Sequence, residues 1–244
     1  MKRIIYCFSA LLLILMACNS TPQKSEEQPA SGEDDGIQVV RKPYRNSEQI
    51  EYEIPVVKGT QIKHGIQKRY YLHGSLYSTI PYVAGEKQGV AYTYYKASLE
   101  EEPQVWKEQP YENNVLHGVC KRYHQDGALQ AEYEYKNGLR AVGLKEYREN
   151  GKEIKQPELI VTKYRVAQGY YIAAQLSDNN KNVDYFIGEL VEGKYLPAKP
   201  KALQVRSGIG EIVLEQTSGK VTITAEYSTR YRNKGVVTAS VNLP

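Results

Sequence analysis

The chain has 244 residues, 32 Lys and Arg against 28 Asp and Glu, and a formal charge of +4, of which Lys2 and Arg3 contribute two at the extreme N-terminus. So small a charge excludes strong attraction to phosphate backbones, and no nucleic-acid partner is expected. The 22 Tyr stand against 2 Phe and 1 Trp, a bias that places rings half buried on sheet surfaces with the hydroxyl at water or a partner, and favours thin β-structure over a thick globule.

Residues 1–17 read as a signal peptide: Lys2 and Arg3, an apolar run from Ile4 to Met16, then the small residue Ala17. A membrane-spanning anchor needs about 20 apolar residues, more than this run supplies. Leu15-Met16-Ala17-Cys18 resembles the lipobox of bacterial lipoproteins. The resemblance implies lipidation of Cys18, which becomes the first mature residue with its thiol diacylated and its amine then acylated, palmitate being the expected chain. Each buried methylene contributes about 0.8 kcal/mol, and more than one chain makes the anchor lasting. The partner expected first is therefore a membrane, reached through an N-terminal lipid anchor. Asn19, where enteric lipoproteins retained at the inner membrane carry aspartate, implies an outer-membrane lipoprotein of the cell envelope.

Residues 18–43 are polar and rich in turn formers and read as a disordered tether. About 25 such residues span roughly 25–30 Å. Lys24-Ser25-Glu26-Glu27 and Glu33-Asp34-Asp35 are similar to acidic stretches that send some lipoproteins to the cell surface; an ordinary solvated linker is an equal reading. With Cys7 in the signal and Cys18 acylated, Cys120 is the only mature thiol, so an intramolecular disulfide is ruled out and a buried, inert cysteine is expected.

Residues 44–156 repeat, with leading glycines at Gly65, Gly89, Gly118 and Gly143 and an insertion around Ser98–Gln104 in the longest step. Asp126-Gly127, Asn137-Gly138 and Asn150-Gly151 close tight hairpins. In Glu132-Tyr133-Glu134-Tyr135-Lys136 aromatic and charged residues alternate with the period of a strand. One hairpin is marginal in water, so the units are expected to stack edge to edge.

The recurring Gly-x(3,4)-Tyr, a turn glycine and a Tyr-x-x-Asn-Gly strand end resemble the bacterial variant of the MORN repeat over roughly 100 residues. The best copies lie around Gly118 and Gly143, while Lys96-Ala97-Ser98 replaces a turn glycine in the second. The resemblance implies an elongated single-layer antiparallel β-ribbon serving as a binding or spacing platform. Some bacterial members are labelled antitoxins, a cytosolic role that an exported chain does not fit. Lipid binding proposed for eukaryotic relatives draws attention to Lys68-Arg69 and Lys121-Arg122, which a solvated strand edge explains equally.

Residues 157–244 form a second expected domain. Seven short strands between Leu159 and Leu243, several with one apolar face, suggest a small β-sandwich. The fold class is all-β.

Chemistry is sparse. The four histidines follow the repeat grammar rather than gathering at one point, so neither a metal site nor a cofactor is expected. Ser207-Gly208-Ile209-Gly210 reads as a hairpin turn, since a phosphate loop would need a lysine and a following helix. With no catalytic motif, the expected function is a non-enzymatic, lipid-anchored binding or scaffold module. Its partner is a protein or a surface glycan, met through Tyr70, Tyr71, Tyr94, Tyr95, Tyr123, Tyr147 and Trp106. Rival readings are an envelope hydrolase using dispersed carboxylates and a purely structural spacer. The oligomeric state is left open.

Overall fold

Positive φ sets the turns of the repeat region. The links Ala84-Gly85 (φ 49° and 89°), Asn113-Asn114 (47° and 70°) and Asn137-Gly138 (49° and 78°) each carry it at both central residues, the type I′ geometry that matches strand twist in a two-residue hairpin. The computed structural model describes residues 36–244, which form one compact unit. The signal peptide, Cys18 and the tether up to residue 35 lie outside the described residues.

Five antiparallel hairpins follow one another: Ile37–Pro43 with Ile50–Val57, Gly65–Tyr70 with Leu76–Val83, Gly89–Tyr94 with Val105–Glu112, Gly118–Tyr123 with Leu129–Lys136, and Lys145–Tyr147 with Glu153–Ile154. We call them units one to five. Each pairs with the next in chain order, giving one 13-stranded sheet that includes three short side strands.

Two boundaries differ from the sequence reading. Unit one begins inside the stretch expected to be tether: Ile37, Val39 and Val40 pair with Val57, Pro55 and Ile54. Its turn uses Asn46 at φ 61° in place of a glycine, and Arg41 and Lys42 make the strand look like linker when they are the charged guards of a sheet edge. In unit five the register places Val142, not Gly143, at the leading position, because Glu132 faces Lys145 as Glu108 faces Lys121. Gly143 keeps the positive φ of 94° one residue later. In units two to four the leading glycine is required twice over. Gly65, Gly89 and Gly118 sit at φ 106°, 100° and 109°, and a Cβ would meet Pro55, Pro81 or Pro110 at 3.2–3.3 Å.

Side-chain alternation divides the ribbon into two faces. Gln67, Ser78, Tyr82, Ala91, Cys120, Ala131, Leu144 and Glu146 lie on a covered face and are buried. The open face carries Ile66, Val90 and Val119, which stay exposed. Small residues on the covered face lie under rings; Cys120 faces Tyr133 directly. Burial pushes the Cys120 thiol up to about 12, which keeps it protonated and inert.

The C-terminal residues form two four-stranded sheets. One runs Leu159–Val166, Gly169–Leu176, Ile209–Leu214, Gln204–Arg206; the other runs Lys201–Ala202, Val183–Ile187, Gly219–Ser228, Lys234–Leu243. Their inner faces meet in a core of Ile172, Leu176, Tyr185, Ile223, Tyr227 and Leu243, the sandwich architecture expected from alternation. The Tyr185 hydroxyl donates to the Gly208 carbonyl at 2.9 Å. Its ring lies so close to the facing sheet that a Cβ on Gly210 would approach it to 2.6 Å. Gly210→Ala is therefore expected to lower stability by about 1–3 kcal/mol through overpacking, read as a drop in the urea midpoint; an unchanged midpoint would show that the ring moves aside freely.

Candidate functional site

The geometry gives the repeated tyrosines a structural task. At the end of its first strand each of units one to four carries a clamp residue whose side chain donates to a backbone carbonyl of the next unit. Tyr44 Oη donates to Tyr70 O at 2.6 Å, Tyr71 Oη to Tyr94 O at 3.0 Å, Tyr95 Oη to Tyr123 O at 2.8 Å, and His124 Nε2 to Tyr147 O at 2.9 Å. The turn closes behind each clamp, as in the bonds Tyr71 N–H to Ser75 O and His124 N–H to Ala128 O, both 2.8 Å. The insertion stretches this turn in unit three, where Tyr95 N–H reaches Gln104 O at 2.9 Å.

In units two to four a β-bulge next to the clamp aims one extra side chain at it. The ladder skips Tyr77, Trp106 and Gln130. Tyr77 meets Tyr71 edge-on at 5.1 Å between centroids and Trp106 lies 6.0 Å from Tyr95, while Gln130 Nε2 is 3.4 Å from His124 Nδ1. Lys107 Nζ stands 3.8 Å from the Trp106 ring centre, with the Arg122 guanidinium at 5.2 Å. Burial, and then Arg122 beside it, holds the Lys107 ammonium below its ordinary value.

The seven residues expected to bind a partner are thus spread along the ribbon rather than gathered at one point. Tyr71 and Tyr95 are clamps. Tyr70 donates to Glu53 at 2.7 Å and Tyr123 to Glu108 at 2.9 Å; desolvation, then the carboxylate, raises each phenol to about 12. Tyr94 lies stacked against Tyr92 at 6.4 Å, Tyr147 supplies the carbonyl that His124 holds, and Trp106 fills a bulge. The histidines stand apart as well: His64 accepts from Ala84 N–H at 3.5 Å, His73 contacts Ala97 O at 2.8 Å, and His117 is 3.0 Å from Asn137 Oδ1. Among the described residues, no group of three or more His, Cys, Asp or Glu is placed to hold a metal ion.

Two features were not foreseen. The first is an ordered open face. Successive pairs align Arg41, Glu53, Lys68, Thr79, Tyr92, Glu108, Lys121, Glu132 and Lys145 into one row of mostly alternating charge. Lys68 and Lys121 lie in that row, whereas Arg69 and Arg122 point to the covered face, Arg69 onto Glu51 at 2.8 Å. Beside the charged row runs an apolar one, with Val39 paired to Pro55, Ile66 to Pro81 and Val90 to Pro110. Val39, Ile66, Val90 and Val119 are 51, 56, 39 and 43% exposed.

The second is a polar seam joining the ribbon to the sandwich. Glu146, 3% exposed, accepts from Thr229 Oγ1 and Asn233 Nδ2 at 2.6 Å each and from Gln156 Nε2 at 3.4 Å. Arg122 reaches the Tyr231 carbonyl at 3.2 Å and the Asn233 side chain. Lys194 and Tyr195 bond Glu134 at 2.5 and 2.6 Å, and Tyr195 bridges Ala141 where unit five has not yet begun to pair. Beside the seam lies a cavity of about 660 Å³, lined by unit five and two sandwich turns and including Glu146, Arg148, Glu149, Asp178, Arg230 and Tyr231. Its volume suits a small-molecule ligand.

A stack of clamped hairpins defines a repeat protein, and one comparison with known families identifies the repeat type at two places. The MORN repeat variant family matches residues 63–84 and 116–137, which are units two and four. The copy around Gly143, expected to be among the best, is not matched; there the leading glycine and the following valine have exchanged places. No curated protein and no solved structure matches the chain.

Two outcomes follow from this geometry. Tyr95→Phe removes one clamp and should cost about 0.5–1.5 kcal/mol, with faster amide exchange in the adjoining strands of units three and four; exchange unchanged there would remove the clamp's role. Glu134 is held below the ordinary carboxylate value first by the Lys194 bond and then by the Tyr195 hydroxyl. Its folded value is depressed, so the stability it contributes is present above the ordinary carboxylate pKa and is lost as pH falls through the folded value. Denaturation midpoints should therefore fall on acidification, and Glu134→Gln should flatten that slope.

Proposed function

We propose that this protein is a lipid-anchored binding or scaffold module of the bacterial cell envelope, non-enzymatic, held at the outer membrane by acyl chains on Cys18 and presenting its ribbon to a protein or surface-glycan partner. The observation that carries the reading is the open-face apolar row. Val39, Ile66, Val90 and Val119 recur at one position in units one to four and stay exposed, although each is a β-branched residue suited to burial, and repetition along a flat face is what a platform for an extended partner needs. Tyrosine contributes differently from the first expectation, since most of the hydroxyls expected to meet a partner are already engaged within the ribbon.

A second reading, an envelope hydrolase, draws on the carboxylates Glu146, Glu149 and Asp178 lining the junction cavity. Glu146 is committed to three donors, and an acceptor so fully engaged favours binding over proton transfer. A bare spacer leaves the exposed row without a purpose.

The test is affinity capture of the full chain from detergent extract after metabolic labelling with palmitate. Wild type should carry label, sediment with membranes and recover a stoichiometric partner. Cys18→Ala should lose label and membrane attachment together. Ile66→Asp with Val119→Asp should keep the anchor and lose the partner. Capture of nothing by the wild type contradicts the reading.

A further inference from the structure

The clamp series has an unused last member. Tyr44, Tyr71, Tyr95 and His124 each donate to a carbonyl of the following unit. The equivalent residue of unit five is Arg148, whose backbone closes the same turn, its N–H donating to Lys152 O at 2.9 Å. A sixth unit would offer the next carbonyl, but after Gln156-Pro157 the chain turns into the sandwich. The donor is thus a guanidinium with nothing to hold, and it lines the junction cavity. Across the same cavity stands Arg230, on the sandwich turn that follows Gly219–Ser228. Among the described residues neither arginine side chain makes a hydrogen bond or an ion pair.

Among the described residues the carboxylates of the cavity make no ion pair with them. Glu146 faces Thr229, Asn233 and Gln156, and Asp178 caps the Asn180 N–H at 3.1 Å. Two guanidinia contributed by the two halves of the molecule line one cavity, and a planar guanidinium offers the paired donors that suit a carboxylate. The remaining groups are amphiphilic. The Tyr231 ring is held edge-on against His124 at 5.6 Å, and the Asn150 side chain, whose oxygen takes the Lys152 N–H at 3.1 Å, keeps its NH₂ for a ligand. Glu149 offers an acceptor for hydroxyls. Strand addition is disfavoured, because the edge presented there is only the two residues Glu153–Ile154.

We propose that the junction cavity binds a carboxylate-bearing saccharide, its anionic group held between Arg148 and Arg230. The proposal rests on the binding-module reading and gives it one ligand class.

The full chain in detergent is titrated with oligogalacturonate, a hyaluronan oligosaccharide and sialyllactose, each beside its neutral counterpart. At least one acidic saccharide should bind, its neutral counterpart should bind at least tenfold more weakly, and Arg148→Ala and Arg230→Ala should each weaken binding about tenfold. Both side chains are exposed and unpaired, so the thermal midpoint of each variant should match wild type, and the loss then reads on the ligand. Silence across the panel, equal binding of neutral sugars, insensitivity to both substitutions, or preference for an acidic peptide overturns the proposal. A silent panel together with a partner still captured through Ile66 and Val119 removes this site and leaves the module reading intact; loss of both removes both.

Discussion

The structure depends on one repeated hydrogen bond, from the side chain that ends the first strand of a unit to the carbonyl one residue before the equivalent place in the next. A single-layer ribbon has little apolar area to bury, so register between hairpins needs another source. Each clamp contributes only about 0.5–1.5 kcal/mol net, yet it acts between units, where the ladder is shortest: units two and three share only the pairs Ser78 with Thr93 and Thr79 with Tyr92. The clamp, the bulged residue beside it and the I′ turn of the link together fix how each hairpin sits on its neighbour. Tyrosine suits the task because it spans the distance with a rigid ring and ends in a donor.

The same repeat explains how the ribbon ends. From the second strand of unit four onward the pattern is rewritten residue by residue: Pro110 of unit three becomes Glu134 in unit four, and in unit five Arg122 becomes Glu146 and the clamp becomes Arg148. The first two changes supply acceptors for Lys194, Tyr195, Thr229 and Asn233. A buried carboxylate is costly unless fully satisfied, and Glu146 meets that condition. The sandwich therefore closes the ribbon with polar specificity in place of a further apolar strand, and the cavity lies where the next unit would have stacked. Two surfaces are left for partners, the open-face row and this end cavity.

Much of the fold was legible in local chemistry. Asn137-Gly138 and Asp126-Gly127 announced their turns, the insertion at residues 98–104 fell where predicted, and the one-sided apolar faces expected between Leu159 and Leu243 belong to the sandwich strands. Unit one was hidden because Asn46 replaces the turn glycine and a charged edge strand reads as linker. Unit five was misaligned by one residue, since glycine marks the positive-φ kink while register follows the paired charges. The tyrosines misled more deeply. Composition shows that rings lie on sheet surfaces, but whether a hydroxyl faces a partner or a carbonyl 23–28 residues away is decided by stacking between units. The seam was invisible for the same reason, Glu146 and Asn233 being 87 residues apart.

Amide hydrogen exchange across the intact chain tests most directly whether the ribbon is one clamped sheet of five units. Protection should begin at residues 37–43 and run without a break through residues 145–154. If residues 37–57 exchange at the rate of unprotected amides while residues 65–136 stay protected, the ribbon begins at the first leading glycine and the clamp from Tyr44 holds nothing.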